Sequence, residues 1–153
     1  MPTQATDPVE IEDRYLTGCS LRLRHMRADD RDVYKLTQKV RPRTDDPSVV
    51  ALTNIYLTAD EHSRLSTMPA ATLTKRRHRW LADGRDLAVD EMLGRWTGIV
   101  FAELEHDGTA ARPAVPDAVE VTGDDRFSGG ALAAASDAEV AALSDVVRRL
   151  LAS

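Results

Sequence analysis

Apolar and charged residues alternate strictly in Leu21-Arg22-Leu23-Arg24, so both leucines leave one side of a strand and both arginines the other. After a polar break at residues 27–31, residues 33–40 place Lys35, Thr37 and Lys39 on one face and Leu36 and Val40 on the other. Residues 20–39 therefore read as a hairpin. Cations at period 2 on consecutive strands repel one another, so something anionic is expected opposite them. The same inversion recurs downstream. Residues 73–81 read as a strand with Lys75, Arg77 and Arg79 on one face, and Asp83-Gly84 turns it into residues 85–92, where Leu87 and Val89 alternate with Ala88 and Asp90. In residues 99–106, Val100, Ala102 and Leu104 share one face while Glu103 and Glu105 share the other.

Around this framework, Val9–Leu16 reads as a short strand ending at the Thr17-Gly18 turn, and residues 48–57 as a β-rich third strand of the main sheet. Thr58-Ala59-Asp60-Glu61 is a capping box that opens a short helix to about residue 67. Residues 118–122 read as a short strand and 123–130 as a polar connection. A second capping box, Ser136-Asp137-Ala138-Glu139, opens a helix over about 137–151, whose apolar stripe is Val140, Leu143, Val147, Leu150 and Leu151. These elements predict an α+β chain, mainly antiparallel β. Charges of opposite sign on facing strands suggest a tunnel-like closed or nearly closed barrel with a charged lumen, with two or three helices packed outside. Residues 1–8 read as a disordered lead, and 9–153 as a single domain.

Composition narrows the class. The chain has 153 residues, 42% apolar and 29% charged, which is ordinary for a soluble protein with its own core. One cysteine, Cys19, excludes a disulfide framework and a Cys-rich zinc site, and points to a reducing, cytoplasmic setting. No run approaches the ~18 apolar residues of a membrane span, and the first residues lack the pattern of a signal peptide. A net charge of −5 argues against nucleic-acid binding by the whole surface. The basic residues are concentrated locally, which allows a positive interior inside an acidic shell.

Glu103-x-Glu105 sets two carboxylates about 7 Å apart on one strand face, at ~3.3 Å per residue. A hard divalent ion, Mg²⁺ or Mn²⁺, is the natural occupant between such oxygens. Arg22 and Arg24, Lys35 and Lys39, and Lys75, Arg77 and Arg79 supply donors for a polyanion. At ~4 Å and an effective dielectric of about 20, each phosphate–cation contact contributes roughly 4 kcal/mol before desolvation. Each piece alone has a plainer explanation. An R-x-R pair is usually a solvated sheet face, a basic run such as Lys75–Arg79 is usually surface, and Glu103 and Glu105 alone would pair with lysines. His25, His62, His78 and His106 lack metal-ligand spacing, Gly129-Gly130 lacks the lysine of a phosphate loop, and Cys19 has no evident base. The coincidence of several strands carries the reading.

The ordered motifs resemble the CYTH, or triphosphate tunnel metalloenzyme, family over about residues 13–134. The matching pieces are Tyr15-Leu16 with Leu21-Arg22-Leu23-Arg24, Lys35-Leu36-Thr37-Gln38-Lys39, Thr74-Lys75-Arg76-Arg77, Leu87-Ala88-Val89-Asp90, Phe101-Ala102-Glu103-Leu104-Glu105, Glu120-Val121-Thr122, Asp124-Asp125-Arg126-Phe127 and Ala131-Leu132-Ala133. The resemblance implies an eight-stranded antiparallel tunnel that binds triphosphate and commonly hydrolyses it with Mg²⁺ or Mn²⁺. It implies phosphate ligands at Arg22, Arg24, Lys39, Lys75 and Arg77, and metal or water-positioning carboxylates at Asp90, Glu103, Glu105 and Glu120. Two features depart from the family. Its opening strand carries E-x-E-x-K, whereas Glu10-Ile11-Glu12-Asp13-Arg14 lies too close to Leu21-Arg22 and matches only superficially. Asn54 stands where the family often has a glutamate. The expected activity is metal-dependent hydrolysis of inorganic or nucleoside triphosphate. Non-catalytic polyphosphate or nucleotide binding is the alternative, and nucleotide cyclisation a weaker third. The expected partner is a triphosphate-containing small molecule, with no membrane or specific nucleic acid, and a homodimer is compatible with the sequence.

Overall fold

The structure is a computed structural model that describes residues 8–42, 45, 49–82, 85–104, 115 and 118–152. Seven strands run in chain order as β1 (Val9–Leu16), β2 (Leu21–Ala28), β3 (Arg31–Val40), β4 (Ala51–Leu57), β5 (Ala70–Ala82), β6 (Arg85–Met92) and β7 (Val100–Leu104). The helices are α1 (Ala59–Leu65), α2 (Gly129–Ala134) and α3 (Asp137–Leu151), with 3-10 turns at Gly94–Trp96 and Asp125–Phe127. The strands form one antiparallel sheet in the order β4-β3-β2-β1-β5-β6-β7, curled into a half-barrel. The expected hairpin is present, and its strands extend further into the polar break than the side-chain pattern indicated: β2 reaches Ala28 and β3 begins at Arg31.

Both capping boxes form as the sequence predicts. Thr58 N–H donates to Glu61 at 2.7 Å while Glu61 N–H donates back to Thr58 Oγ1 at 3.2 Å. Ser136 and Glu139 do the same at 2.7 and 3.3 Å. Such reciprocal bonds satisfy amides that the first helical turn otherwise leaves without partners.

Helix α1 carries the chain from the β4 edge back to the sheet centre, across the face that bears Tyr34 and His25. The His62 ring lies 4.8 Å from Tyr34 and 5.6 Å from His25. Arg14 donates to the carbonyls of Ser66 and Met68 at 2.9 and 3.4 Å, just past the end of α1, where a cation is favoured. No helix among the described residues is long and apolar enough to cross a membrane.

The C-terminal half departs from expectation in two ways. Residues 118–121 form no strand, and the chain turns at 122–123, with Gly123 at φ 99°. Residues 123–130, expected as a polar connection, instead contain the second 3-10 turn and the start of α2. This helix and the beginning of α3 do not pack outside the sheet. Leu132 and Ala133 of α2 join Leu73, Met92 and Trp96 in the core cluster, with Tyr15, Phe101, Val140 and Leu143 packed against it. Leu73 faces Asp13 across the β1–β5 pair and Met92 faces Lys75 across β5–β6, so α2 covers one end of the face that carries the charges. The Trp96 indole N–H donates to Leu132 O at 3.0 Å and anchors the helix. The 3-10 turn beside it reaches both sides of the sheet. Arg41, just beyond β3, pairs with Asp125 at 3.0 Å, and Phe101 of β7 meets the Phe127 ring edge-on at 6.0 Å. The sheet therefore curls around its charged face, which is the inner one.

Two glycines explain why pattern reading missed α2, since they lower helix propensity and the helix is too short to show a stripe. Gly129 is needed for packing: a Cβ there would stand 1.9 Å from the Tyr15 hydroxyl, whereas at Gly130 the nearest Tyr15 atom is 3.5 Å away. Gly129→Ala is expected to destabilise the fold by about 1–3 kcal/mol through overpacking, read as a lowered thermal midpoint. Gly130→Ala should be neutral or stabilising, and adding Tyr15→Phe should restore part of the Gly129→Ala loss.

Candidate functional site

Strand register decides which charges meet. Asp13 of β1 pairs with Arg24 of β2, Arg24 with Lys35 of β3, and Lys35 with Tyr56 of β4. On the other side, Arg77 of β5 pairs with Asp90 of β6, and Ala88 with Glu103 of β7. Since side chains alternate along every strand, Arg22, Arg24, Lys35, Lys39, Lys75, Arg77, Arg79, Asp90 and Glu103 share the inner face. Sequence reasoning missed three further charges there. Arg31 was assigned to the turn, Asp86 is the polar start of β6, and Asp13 was hidden inside the E-x-E-x-R match. Among the described residues the face thus holds eight cations and four carboxylates. Glu10 and Glu12 lie on the opposite face, where Glu10 pairs with Arg76 at 3.3 Å.

The carboxylates engage specific cations. Asp13 is 0% exposed and accepts from Arg24 Nε and Nη2 at 2.6 and 2.7 Å, with Arg22 Nε at 3.5 Å. Asp90, 1% exposed, accepts from Arg77 Nε and Nη2 at 2.6 and 2.7 Å and from Lys75 Nζ. Arg77 also donates to Glu103 at 2.9 Å, and Arg79 pairs with Asp86. The β5–β7 side is therefore largely neutralised. The β2–β3 side is not: among the described residues no carboxylate pairs with Arg31, Lys35 or Lys39, and Lys35 instead lies over the Tyr56 ring at 5.0 Å. Arg22 reaches Thr37 Oγ1 at 3.4 Å, Thr37 donates to Asn54 Oδ1 at 2.8 Å, and the buried Arg22 Nε has no hydrogen-bond acceptor.

Protonation follows this division. Burial alone would raise the Asp13 pKa, but the bonds and field of Arg24, with Arg22 and Lys75, outweigh it and hold the carboxyl below its usual range. Asp90 is held low in the same way by Arg77 and Lys75. Lys75 moves down as well, because burial and the nearby Arg77 and Arg24 guanidiniums outweigh Glu103 and Asp90. Burial first, and the neighbouring guanidiniums second, explain why a lysine in an ion pair still loses proton affinity.

Two expected carboxylates fall outside the strand registers above. Glu105 lies outside the described residues. Glu120 precedes the second 3-10 turn and lines a cavity of about 400 Å³ with Val119, Phe127, Val146 and Leu150. Among the described residues no three His, Cys, Asp or Glu side chains gather as a metal site. Asp90 does not fit that role, since both its oxygens already accept from cations. Glu103 does fit as a single oxygen ligand, and Mg²⁺ is commonly held by one or two carboxylates together with substrate phosphates.

Asp13→Ala leaves Arg24 buried and uncompensated and is expected to cost about 3–5 kcal/mol in denaturant unfolding. The double variant Asp13→Leu/Arg24→Met should lose less than either single change. Because the folded carboxyl pKa values are depressed, the stability supplied by Asp13 and Asp90 is present above the usual carboxylate range. It is lost as pH falls through the lower folded values, so acid should unfold the wild type in that window and Asp13→Asn should flatten the pH profile.

No protein-family model matches the chain. No curated protein matches it. Among solved structures, the fold is similar to that of the inorganic triphosphatase NE1496, with a TM-score of 0.56 and 20% sequence identity over 87% of this chain and 89% of that one. At that identity the similarity establishes a shared fold.

Proposed function

We propose that the inner face binds the triphosphate group of inorganic triphosphate or a nucleoside triphosphate, and that the protein hydrolyses its terminal phosphoanhydride as a member of the CYTH family. The observation that carries this reading is the excess of cations over carboxylates on one face, in a fold shared with an inorganic triphosphatase. The substrate would be the Mg²⁺ or Mn²⁺ complex of the triphosphate, in which the ion would supply charge neutralisation at the phosphate oxygens. The chain's own part is to hold and orient. Arg22, Lys35 and Lys39 take the phosphate chain on the under-neutralised side, while Lys75, Arg77 and Arg79 meet its other end. Glu103 faces that end from β7 and accepts a hydrogen bond from attacking water. Water oxygen bonds to the terminal phosphorus as the bridging P–O bond breaks, and the released protons pass to the phosphate products. Positioning of this kind accounts for most phosphoryl-transfer catalysis.

A second reading is binding without turnover. It is favoured by Asp13 and Asp90, whose oxygens are committed to arginine and lysine.

Tripolyphosphate and ATP should bind by calorimetry, and Arg22→Ala should weaken binding by roughly tenfold or more, the scale of one charge-assisted hydrogen bond. Orthophosphate should be released with Mg²⁺ or Mn²⁺, cease with a chelator, and fall at least about tenfold in Glu103→Gln, the scale of one charge-assisted hydrogen bond to the attacking water. Binding without release selects the second reading, and absence of binding overturns both.

A further inference from the structure

Helix α1 has little of its own to hold it. Its seven residues are too few for a helix to persist in water through backbone bonds alone, and none of them is fully buried. The half-buried side chains within it are His62 and Leu65, three positions apart and so on one side of the helix. His62 is set against two other rings. It lies 5.6 Å from His25 of β2 and 4.8 Å from Tyr34 of β3, and His25 stacks on Tyr34 at 4.5 Å. Register puts His25 and Tyr34 opposite each other on the outer face, with Glu12 of β1 on the other side of His25. The His25 Nε2 atom is buried without a hydrogen-bond partner, and Asp32 Oδ1 stands 3.4 Å from it.

We infer that His25 and His62 form a proton-operated latch: α1 stays on the sheet while the His62 ring is neutral and comes away when both rings are charged. Two imidazoles in contact are compatible when at most one is protonated, whereas two positive charges at this separation in a partly buried contact repel. The charges facing the pair do not remove the conflict. Asp32 is placed to pair with a charged His25. Glu12 favours a proton on His62, but burial, His25 and Arg14 outweigh it and hold the His62 pKa below its ordinary value of 6.5. Arg27, two residues along the same face of β2, adds another cation, and on α1 itself Glu61 is engaged by Thr58 and Asp60 by Arg64. Because His62 takes a proton less readily folded than unfolded, docking of α1 is fully supported above pH 6.5 and weakens as pH falls below it. Asp13 and Asp90, held below the ordinary carboxylate value of 3.8, stay charged through that window. The sheet therefore stays intact and the opening is local. Arg14 on the Ser66 and Met68 carbonyls, with Thr17 N–H on Pro69 O at 2.9 Å, keeps the end of the link to β5 attached. This inference does not depend on what the inner face binds.

Amide hydrogen exchange by NMR tests it, compared at about pH 7.5 and about pH 5.5 with intrinsic rates corrected. In the wild type, protection of the His62 and Ser66 amides, which donate to Thr58 O and His62 O, should fall at least about tenfold at the lower pH. Amides of β1, β2 and β5 should be unchanged. His62→Phe keeps a ring in the contact that cannot be charged, and should hold its protection at both pH values. His25→Phe should raise the midpoint at which the His62 ring titrates, because it removes the neighbouring imidazolium. Equal protection of α1 at both pH values in the wild type, or the same loss in His62→Phe, would overturn the latch. Parallel loss across β1, β2 and β5 would overturn its local character, and an unchanged His62 midpoint in His25→Phe would overturn the pairing of the two rings.

Discussion

Asp13 and Asp90 are the two charges on which the inner face depends. Each is almost wholly buried, and between them they take hydrogen bonds from Arg24, Arg77 and Lys75, with Arg22 close by. Without them, β1, β2, β5 and β6 would bring four cations together beside an apolar core sealed by α2. Bidentate geometry makes the arrangement tolerable, since both oxygens of each carboxylate are used and little desolvation is left uncompensated. Helix α2 contributes by excluding water from the same end, and Gly129 lets it approach Tyr15 closely enough to do so.

That use of carboxylates limits what the face can do. An oxygen committed to a guanidinium is not available to a hard divalent ion, so neutralising the lumen and binding metal there compete for the same groups. The competition is resolved by position. Carboxylates cluster on β5–β7, where Asp86, Asp90 and Glu103 offset Arg79, Lys75 and Arg77, while β2 and β3 keep their surplus. The proposed polyanion would therefore be drawn toward Lys35 and Lys39, and its other end would meet the mixed-charge side, where Glu103 is the most exposed acid. Asn54 fits this picture. It accepts from Thr37, which in turn receives Arg22, so an amide here organises a cation without neutralising it.

Much of this was legible because period-2 charge patterning is a local signal. The alternation in Leu21-Arg22-Leu23-Arg24 and in residues 75–79 places side chains on faces without any knowledge of the fold, and both capping boxes are equally local. What the sequence hid depends on tertiary pairing. Asp13 looked like part of an acidic motif, and only the β1–β2 and β1–β5 registers turn it toward Arg24 while turning Glu10 and Glu12 away. Helix α2 carries two glycines and six residues, too few to show periodicity, and is held by Trp96 from the first 3-10 turn and Leu73 from β5, both distant in sequence. Residues 118–121 have β-type composition, but no described strand offers them a partner, so composition alone did not make a strand.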